Sequence, residues 1–218
     1  MKNPCVLTLK RITFVLVCVL LASGLVYAVS AQGNTVVKAT ASTNQPNVGD
    51  TLTVKLTVSD VQNLGGVDVM LSWNSSVLKL SNVDLSLGVE SHPDGVLHGS
   101  KLNYDLDSVV SGEIYVKEEN LLGDYELVAQ TIGQGTSSFT GSGTIATLTF
   151  NVTNSGPTGL NLETELSDFP AAGQNANLIN HTDTADSVDA VPEYPSLILI
   201  AIFMVLVTAA LVITKKHK

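Results

Sequence analysis

The side chains with catalytic or metal-binding potential in this 218-residue chain are few and scattered. His92 and His98 flank a Pro93-Asp94-Gly95 turn and offer two imidazoles. A tetrahedral metal site needs further ligands, and no third His or Cys stands nearby in the sequence. Asp105 and Asp107, joined by Asp94 or Asp124, carry hard oxygens suited to calcium. The chain lacks the Asp-x-Asp-x-Asp-Gly loop that would organise them. Strand alternation would set Asp105 and Asp107 on one face, where water satisfies both. Glu118 and Glu119 are adjacent, so in a strand they point to opposite faces and cannot work as an acid–base pair. Gly133-Gln134-Gly135 is followed by neither a helix pattern nor a lysine, so it is no phosphate loop. Gly-x-Ser-x-Gly, the turn that presents a nucleophilic serine, does not occur. These residues lead us to expect a non-catalytic protein without a cofactor, with calcium the one ion for which donors exist.

Charge and hydropathy divide the chain into three parts. Lys2, Lys10 and Arg11 precede an apolar stretch over 12–26, which reads as a secretory signal peptide over residues 1–31. Cleavage is expected after Ala31, where polar Gln32-Gly33-Asn34 follows, or after Ala28. Cys5 and Cys18 both lie in this segment, so the mature domain has neither disulfide nor thiol nucleophile. Val17 before Cys18 is too large for a lipoprotein signal. Residues 196–214 form an uncharged apolar run, about 28 Å long as a helix, close to the hydrocarbon thickness of a bilayer. Lys215, Lys216 and Lys218 follow and hold a tail over 215–218 in the cytoplasm. The expected topology is a single-pass cell-surface protein with its domain outside. Val191-Pro192-Glu193-Tyr194-Pro195, ahead of the apolar run, resembles the short Pro-Glu-Phe type sorting signals of archaeal surface proteins, with Tyr194 where Phe is usual. That resemblance implies a helix that is either retained or processed.

The middle, about 160 residues, is long enough for one real core. It holds five lysines against all twenty carboxylates, a net −15, which repels phosphate backbones and excludes nucleic acid as a partner. Residues 51–58 alternate, with Leu52, Val54, Leu56 and Val58 on one face. Residues 66–73 alternate through Val67, Val69 and Leu71, and further strands are expected at 77–80, 112–117, 126–132 and 144–152. Turn signals separate them at Asn47-Val48-Gly49-Asp50, Asn63-Leu64-Gly65-Gly66, His92-Pro93-Asp94-Gly95 and Gly141-Ser142-Gly143. No long helical period precedes residue 196. The fold class is therefore all-β, about nine strands in two packed antiparallel sheets. The domain is expected over 32–188, with a last strand and then an acidic stalk from Asp183 that continues through 189–195 and holds it off the membrane. Asn74-Ser75-Ser76, Asn151-Val152-Thr153 and Asn180-His181-Thr182 match the glycosylation sequon. Asn74 is expected in a loop and Asn180 in a polar tract, whereas Asn151 within a strand qualifies only if its side chain faces solvent.

Three segments, in order, resemble a cohesin domain: Val48-Gly49-Asp50-Thr51 with the strand ending at Leu64-Gly65-Gly66; residues 67–74 followed by Val77-Leu78-Lys79-Leu80; and Gly141-Ser142-Gly143 with the strand to Phe150. The resemblance covers about residues 35–188 and implies an antiparallel jelly-roll sandwich of about nine strands. It also implies a sheet face, made by the third strand and the strands near 96–132, that binds dockerin modules in assemblies for polysaccharide breakdown. Asp68, Asn103, Asp105, Tyr115 and Glu118 are the polar candidates for partner binding on that face. Two other functions fit the chain. A carbohydrate-binding module would stack sugars on aromatic rings, of which there are Trp73, Tyr104, Tyr115, Tyr125, Phe139, Phe150 and Phe169 at no common strand spacing. A structural cell-envelope or adhesion protein would need no such site.

Overall fold

The computed structural model describes residues 34–132, 137–171 and 174–193. The signal segment with Ala28 and Ala31, Gly133-Gln134-Gly135, Tyr194, Pro195, the apolar run 196–214 and the basic tail lie outside them. Period-2 alternation carries the described chain into strands: β1 (Thr35–Ala41), β2 (Thr51–Ser72), β3 (Leu78–Leu85), β4 (Lys101–Asn103), β5 (Glu113–Leu121) and β6 (Asp124–Ile132). There follow β7 (Phe139–Val152), β8 (Gly156–Gly159), β9 (Asn161–Asp168), β10 (His181–Ala185) and β11 (Ser187–Ala190). Among the described residues there is no helix.

β2 organises the fold. The sequence predicts two strands parted by a turn at Asn63-Leu64-Gly65-Gly66, but the chain runs on as one 22-residue strand. Its first half lies between β1 and β7, and its second half between β6 and β9. The bend between the halves is taken up by Asp60 and Asn63, at φ 55° and 56°, a left-handed conformation that Asp and Asn tolerate better than most residues. β7 holds the bend in place. Asp60 N donates to Ser142 Oγ at 3.0 Å and Asn63 N to Thr140 Oγ1 at 3.1 Å. The pairing with β7 shifts register on both sides of Val61, so Gly141-Ser142-Gly143 is a bulged stretch of a strand, not the expected turn. Beyond the bend, β2 passes so close to β9 that a Cβ on Gly65 would meet the Phe169 Cα at 2.7 Å.

One curled sheet results, with two halves facing each other across a single core. One half is β10-β1-β2-β7-β3, and the other is β9-β2-β6-β5-β4. Leu52, Val54, Leu56 and Val58 from one half and Val67, Val69 and Leu71 from the other are all buried, together with Leu148, Phe150, Ile114, Val116 and Leu127. Trp73 closes one end of this core. Its ring meets Phe150 edge-on at 4.9 Å, and its Nε1 donates to Leu78 O at 3.0 Å. Val77 and Leu78 are buried beside it. Pairing between the strands is antiparallel except β1 with β10 and β4 with β5, which are parallel.

Two further sequence expectations fail. Residues 183–190 do not form a stalk. β10 pairs with β1, β11 pairs with β8, and Val191 bridges Asn47. Val188 and Ala190 are buried, but two apolar residues in a four-residue strand are too short a pattern to register as alternation. Asp105 and Asp107 do not lie in a strand either. Asn103 Oδ1 accepts from Asp105 N at 3.0 Å and Asp105 Oδ1 from Asp107 N at 3.1 Å, so the side chains cap a turn that competes with strand formation.

Candidate functional site

The outer side of β9-β2-β6-β5 is an uncovered sheet face. Core residues alternate inward from these strands at Leu162, Leu166, Val67, Val69, Leu127, Ala129, Ile114 and Val116, so their neighbours must point out. Register then fixes which groups meet. Asp68 stands opposite Glu165 on one side and Val128 on the other, and Met70 opposite Glu163 and Glu126. Glu119 stands opposite Glu126, Lys117 opposite Val128, and Tyr115 opposite Gln130. Asp68, Met70, Glu126, Glu163, Thr164 and Glu165 line a shallow depression of about 370 Å³ in this face.

The electrostatics are lopsided. Asp68, Glu119, Glu126, Glu163 and Glu165 share the face with Lys117, whose Nζ is bound to Glu119 Oε1 at 2.8 Å. That bond raises the Lys117 pKa. Partial burial, then the nearby carboxylates of Glu126 and Glu165, raise the Asp68 pKa, with Lys117 opposing them. Like charges directly across a sheet destabilise it, so this arrangement is not one that folding alone favours.

Of the sequence-predicted partner-binding residues, Asp68 sits at the centre of this face and Tyr115 on its β5 strand. Asn103 lies on the neighbouring edge strand β4, opposite Tyr115, and is committed to structure: its Nδ2 donates to Glu113 Oε2 at 2.7 Å. That bond, with one from Lys101, lowers the Glu113 pKa. Asp105 belongs to the turn beyond. Glu118 points to the other side of β5 from Tyr115, and its Oε1 accepts from Tyr125 Oη at 2.7 Å. Burial first, and this bond second, push the Tyr125 hydroxyl pKa up. Glu126, Glu163 and Glu165 were missed by sequence reasoning. Their alternation with Leu127, Leu162 and Leu166 was visible, but only the placement of β9 beside β2 shows that they converge.

Other groups are spoken for. His92 Nδ1 lies 3.0 Å from Leu87 O and His98 Nδ1 2.9 Å from Glu90 Oε1. Among the described residues no three His, Cys, Asp or Glu side chains are grouped to hold a metal ion, so Asp94 and Asp124 do not converge with Asp105 and Asp107. Thr164, His181 and Asp183 make a hydroxyl–imidazole–carboxylate cluster, but not a nucleophilic triad. Thr164 Oγ1 donates to Asp183 at 2.6 Å, while His181 Nδ1 faces Ile179 O at 2.8 Å. A triad needs the hydroxyl on one ring nitrogen and the carboxylate on the other. Trp73, Tyr125, Phe139 and Phe150 are buried, and Tyr104 at 61 % is the one large aromatic strongly exposed among the described residues. The sequon residues Asn74, Asn151 and Asn180 are all exposed, Asn151 because it lies on the outer side of β7.

No curated protein matches this chain. A solved type I cohesin, the seventh of ScaB from Pseudobacteroides cellulosolvens, is 16% identical over 74% of this chain and 94% of its own, with a TM-score of 0.52. The second type II cohesin module of the adaptor scaffoldin ScaA from Acetivibrio cellulolyticus is 14% identical over 74% and 93%, with a TM-score of 0.51. A type II cohesin domain from the cellulosome of Acetivibrio cellulolyticus is 12% identical over 71% and 94%, with a TM-score of 0.50. These identities speak to the fold alone. The family model described as the cohesin domain matches residues 36–189, well over half of the sequence, and the chain belongs to that family.

Proposed function

We propose that this protein is a non-catalytic docking module, held at the outer cell surface by residues 196–214, whose β9-β2-β6-β5 face receives an extracellular protein of the dockerin class. The observation that carries the reading is the face itself: four adjacent strands, open to solvent, bearing seven carboxylates, with Glu113 and Asp124 beside the five named above, against Lys117. Membership of the cohesin family supports a protein partner. Asp68 and Tyr115 are the contacts we assign from the sequence, joined by Glu126, Glu163 and Glu165. Asn103 and Asp105 act at the margin, where they shape the turn after β4, while Glu118 lies on the other side of β5, bound to Tyr125 Oη. Asn74, Asn151 and Asn180 are proposed glycosylation sites, none of them on the docking face.

The test uses residues 34–193 as bait against the secreted and surface proteins of the source organism, with insoluble polysaccharides assayed in parallel. Capture of a protein with paired calcium-loop repeats, lost on adding a chelator and on Asp68→Lys, supports the reading. Retention on a polysaccharide with no protein captured would replace it with direct glycan binding. Binding that survives Asp68→Lys and Glu165→Lys would move the docking site elsewhere on the domain.

A further inference from the structure

The end of the domain from which the chain runs on toward residue 196 can be traced through backbone contacts. Val48 N donates to Val191 O at 3.0 Å, Gly49 N to Val152 O at 2.9 Å, Thr153 N to Val77 O at 2.8 Å and Trp73 N to Gly123 O at 2.8 Å. β2 also ends here, with Ser72 opposite Asp124 at the start of β6 and Asn161 at the start of β9. The β5–β6 hairpin therefore turns at the same end from which the chain leaves. Its tip is Leu121-Leu122-Gly123, with Gly123 at φ 94° in a position that an L side chain rarely adopts. Leu121 is 59 % exposed and Leu122 90 %, the most exposed of the large apolar residues among those described. Nothing in the fold needs two leucines at a hairpin tip, where turn chemistry favours polar residues.

We infer that this end of the domain rests on the membrane surface and that the Leu121-Leu122 tip enters its interfacial layer. The inference rests on the reading of residues 196–214 as the anchor. Because β10 and β11 take up residues 181–190, only residues 192–195 separate the bridged Val191 from the apolar run. Fully extended, the five steps from Val191 to Ser196 reach about 17 Å. The headgroup layer occupies about 5–8 Å of that on each side of the hydrocarbon. The exit end is thus held within about 9–12 Å of the headgroups, and an exposed leucine pair on a hairpin tip at that end comes within reach of lipid. Asp50, Asp124 and Glu193 outnumber Lys79 there, so the favoured surface is zwitterionic rather than anionic. The docking face then stands upright on the membrane, with Gly65 and Ser167 at its outer end.

Leu178 supplies the control. It is 71 % exposed and bridges Ser167, at the far end of β9. The full chain is placed in phosphatidylcholine vesicles with brominated acyl chains, carrying either Leu122→Trp or Leu178→Trp against the common background of Trp73. The expected result is a blue-shifted emission and bromine quenching for Leu122→Trp, and solvent-like, unquenched emission for Leu178→Trp. If Leu122→Trp is solvent-like while the chain stays with the vesicles through an alkaline wash, the tip does not enter lipid and the anchor still stands. Release of the chain by the wash would overturn the anchor and the inference together.

Discussion

Replacing Asp68 with Asn should make the domain more stable at neutral pH, although Asp68 lies in a regular strand with no strain to relieve. Its carboxylate faces Glu165 directly across β2 and β9, and Glu126 diagonally across β2 and β6. Two unit charges about 7 Å apart repel by about 0.6 kcal/mol in a water-like dielectric. Two such pairs, partly offset by Lys117 and by solvent screening, leave a net gain of about 0.5–1 kcal/mol for the neutral variant. In a domain of this size that is a rise of about 2–3 °C in Tm. The pH dependence has a definite sign. The folded-state pKa of Asp68 is raised above its ordinary 3.8, so the folded state binds this proton more tightly than the unfolded one. The destabilisation is therefore fully present above the raised value and fades as pH falls toward 3.8. Urea denaturation of residues 34–193 measures both, at pH 7 and at pH 4, in low salt and in 1 M salt, where the Debye length falls to about 3 Å. The reasoning is refuted if Asp68→Asn lowers stability at pH 7, or if its gain is unchanged by salt and by pH.

Two other substitutions probe the frame behind that face. Trp73→Phe removes the Nε1 donor from Leu78 O inside the closed end of the core, and should lose about 1–3 kcal/mol in denaturant unfolding with an unchanged m-value. Asp183→Asn weakens the bonds that Asp183 accepts from Thr164 N at 2.8 Å and Thr164 Oγ1 at 2.6 Å. It should lower global stability by about 1–2 kcal/mol and, in hydrogen exchange, loosen β10 before the rest of the sheet.

The strands with sustained alternation were legible from sequence: residues 51–58, 66–72 and 144–152 place Leu52, Val69 and Phe150 in the core as their patterns require. Continuity was not. Asn63-Leu64-Gly65-Gly66 has the composition of a turn, and only the pairing of β2 with β7 on one side and β9 on the other shows that the strand bends without breaking. Gly65 is there for close passage of Phe169, which composition cannot distinguish from a turn glycine. The candidate site was half legible for the same reason. Asp68 and Tyr115 follow from alternation within their own strands, whereas Glu163 and Glu165 belong to the face through long-range pairing. Glu118 is an exposed polar residue of the same strand as Tyr115, but parity sends it to the other side of β5.

Repulsion on this face and the leucines at its lower end point the same way. A sheet surface selected only for folding would alternate charges and keep leucine out of a hairpin tip. Here the carboxylates gather on one face with Lys117 as the cation among them, and the leucines gather at the end nearest the apolar run. Each feature destabilises the isolated domain or lowers its solubility, and each loses its disadvantage once a partner covers it: a cationic protein surface for the first, a lipid interface for the second. The pairing of β11 with β8 links the two under that proposal, because it leaves only a short spacer ahead of the apolar run. Under the proposed anchoring, the β9-β2-β6-β5 face would be presented sideways to the membrane normal, in reach of partners that arrive from solution or along the cell surface.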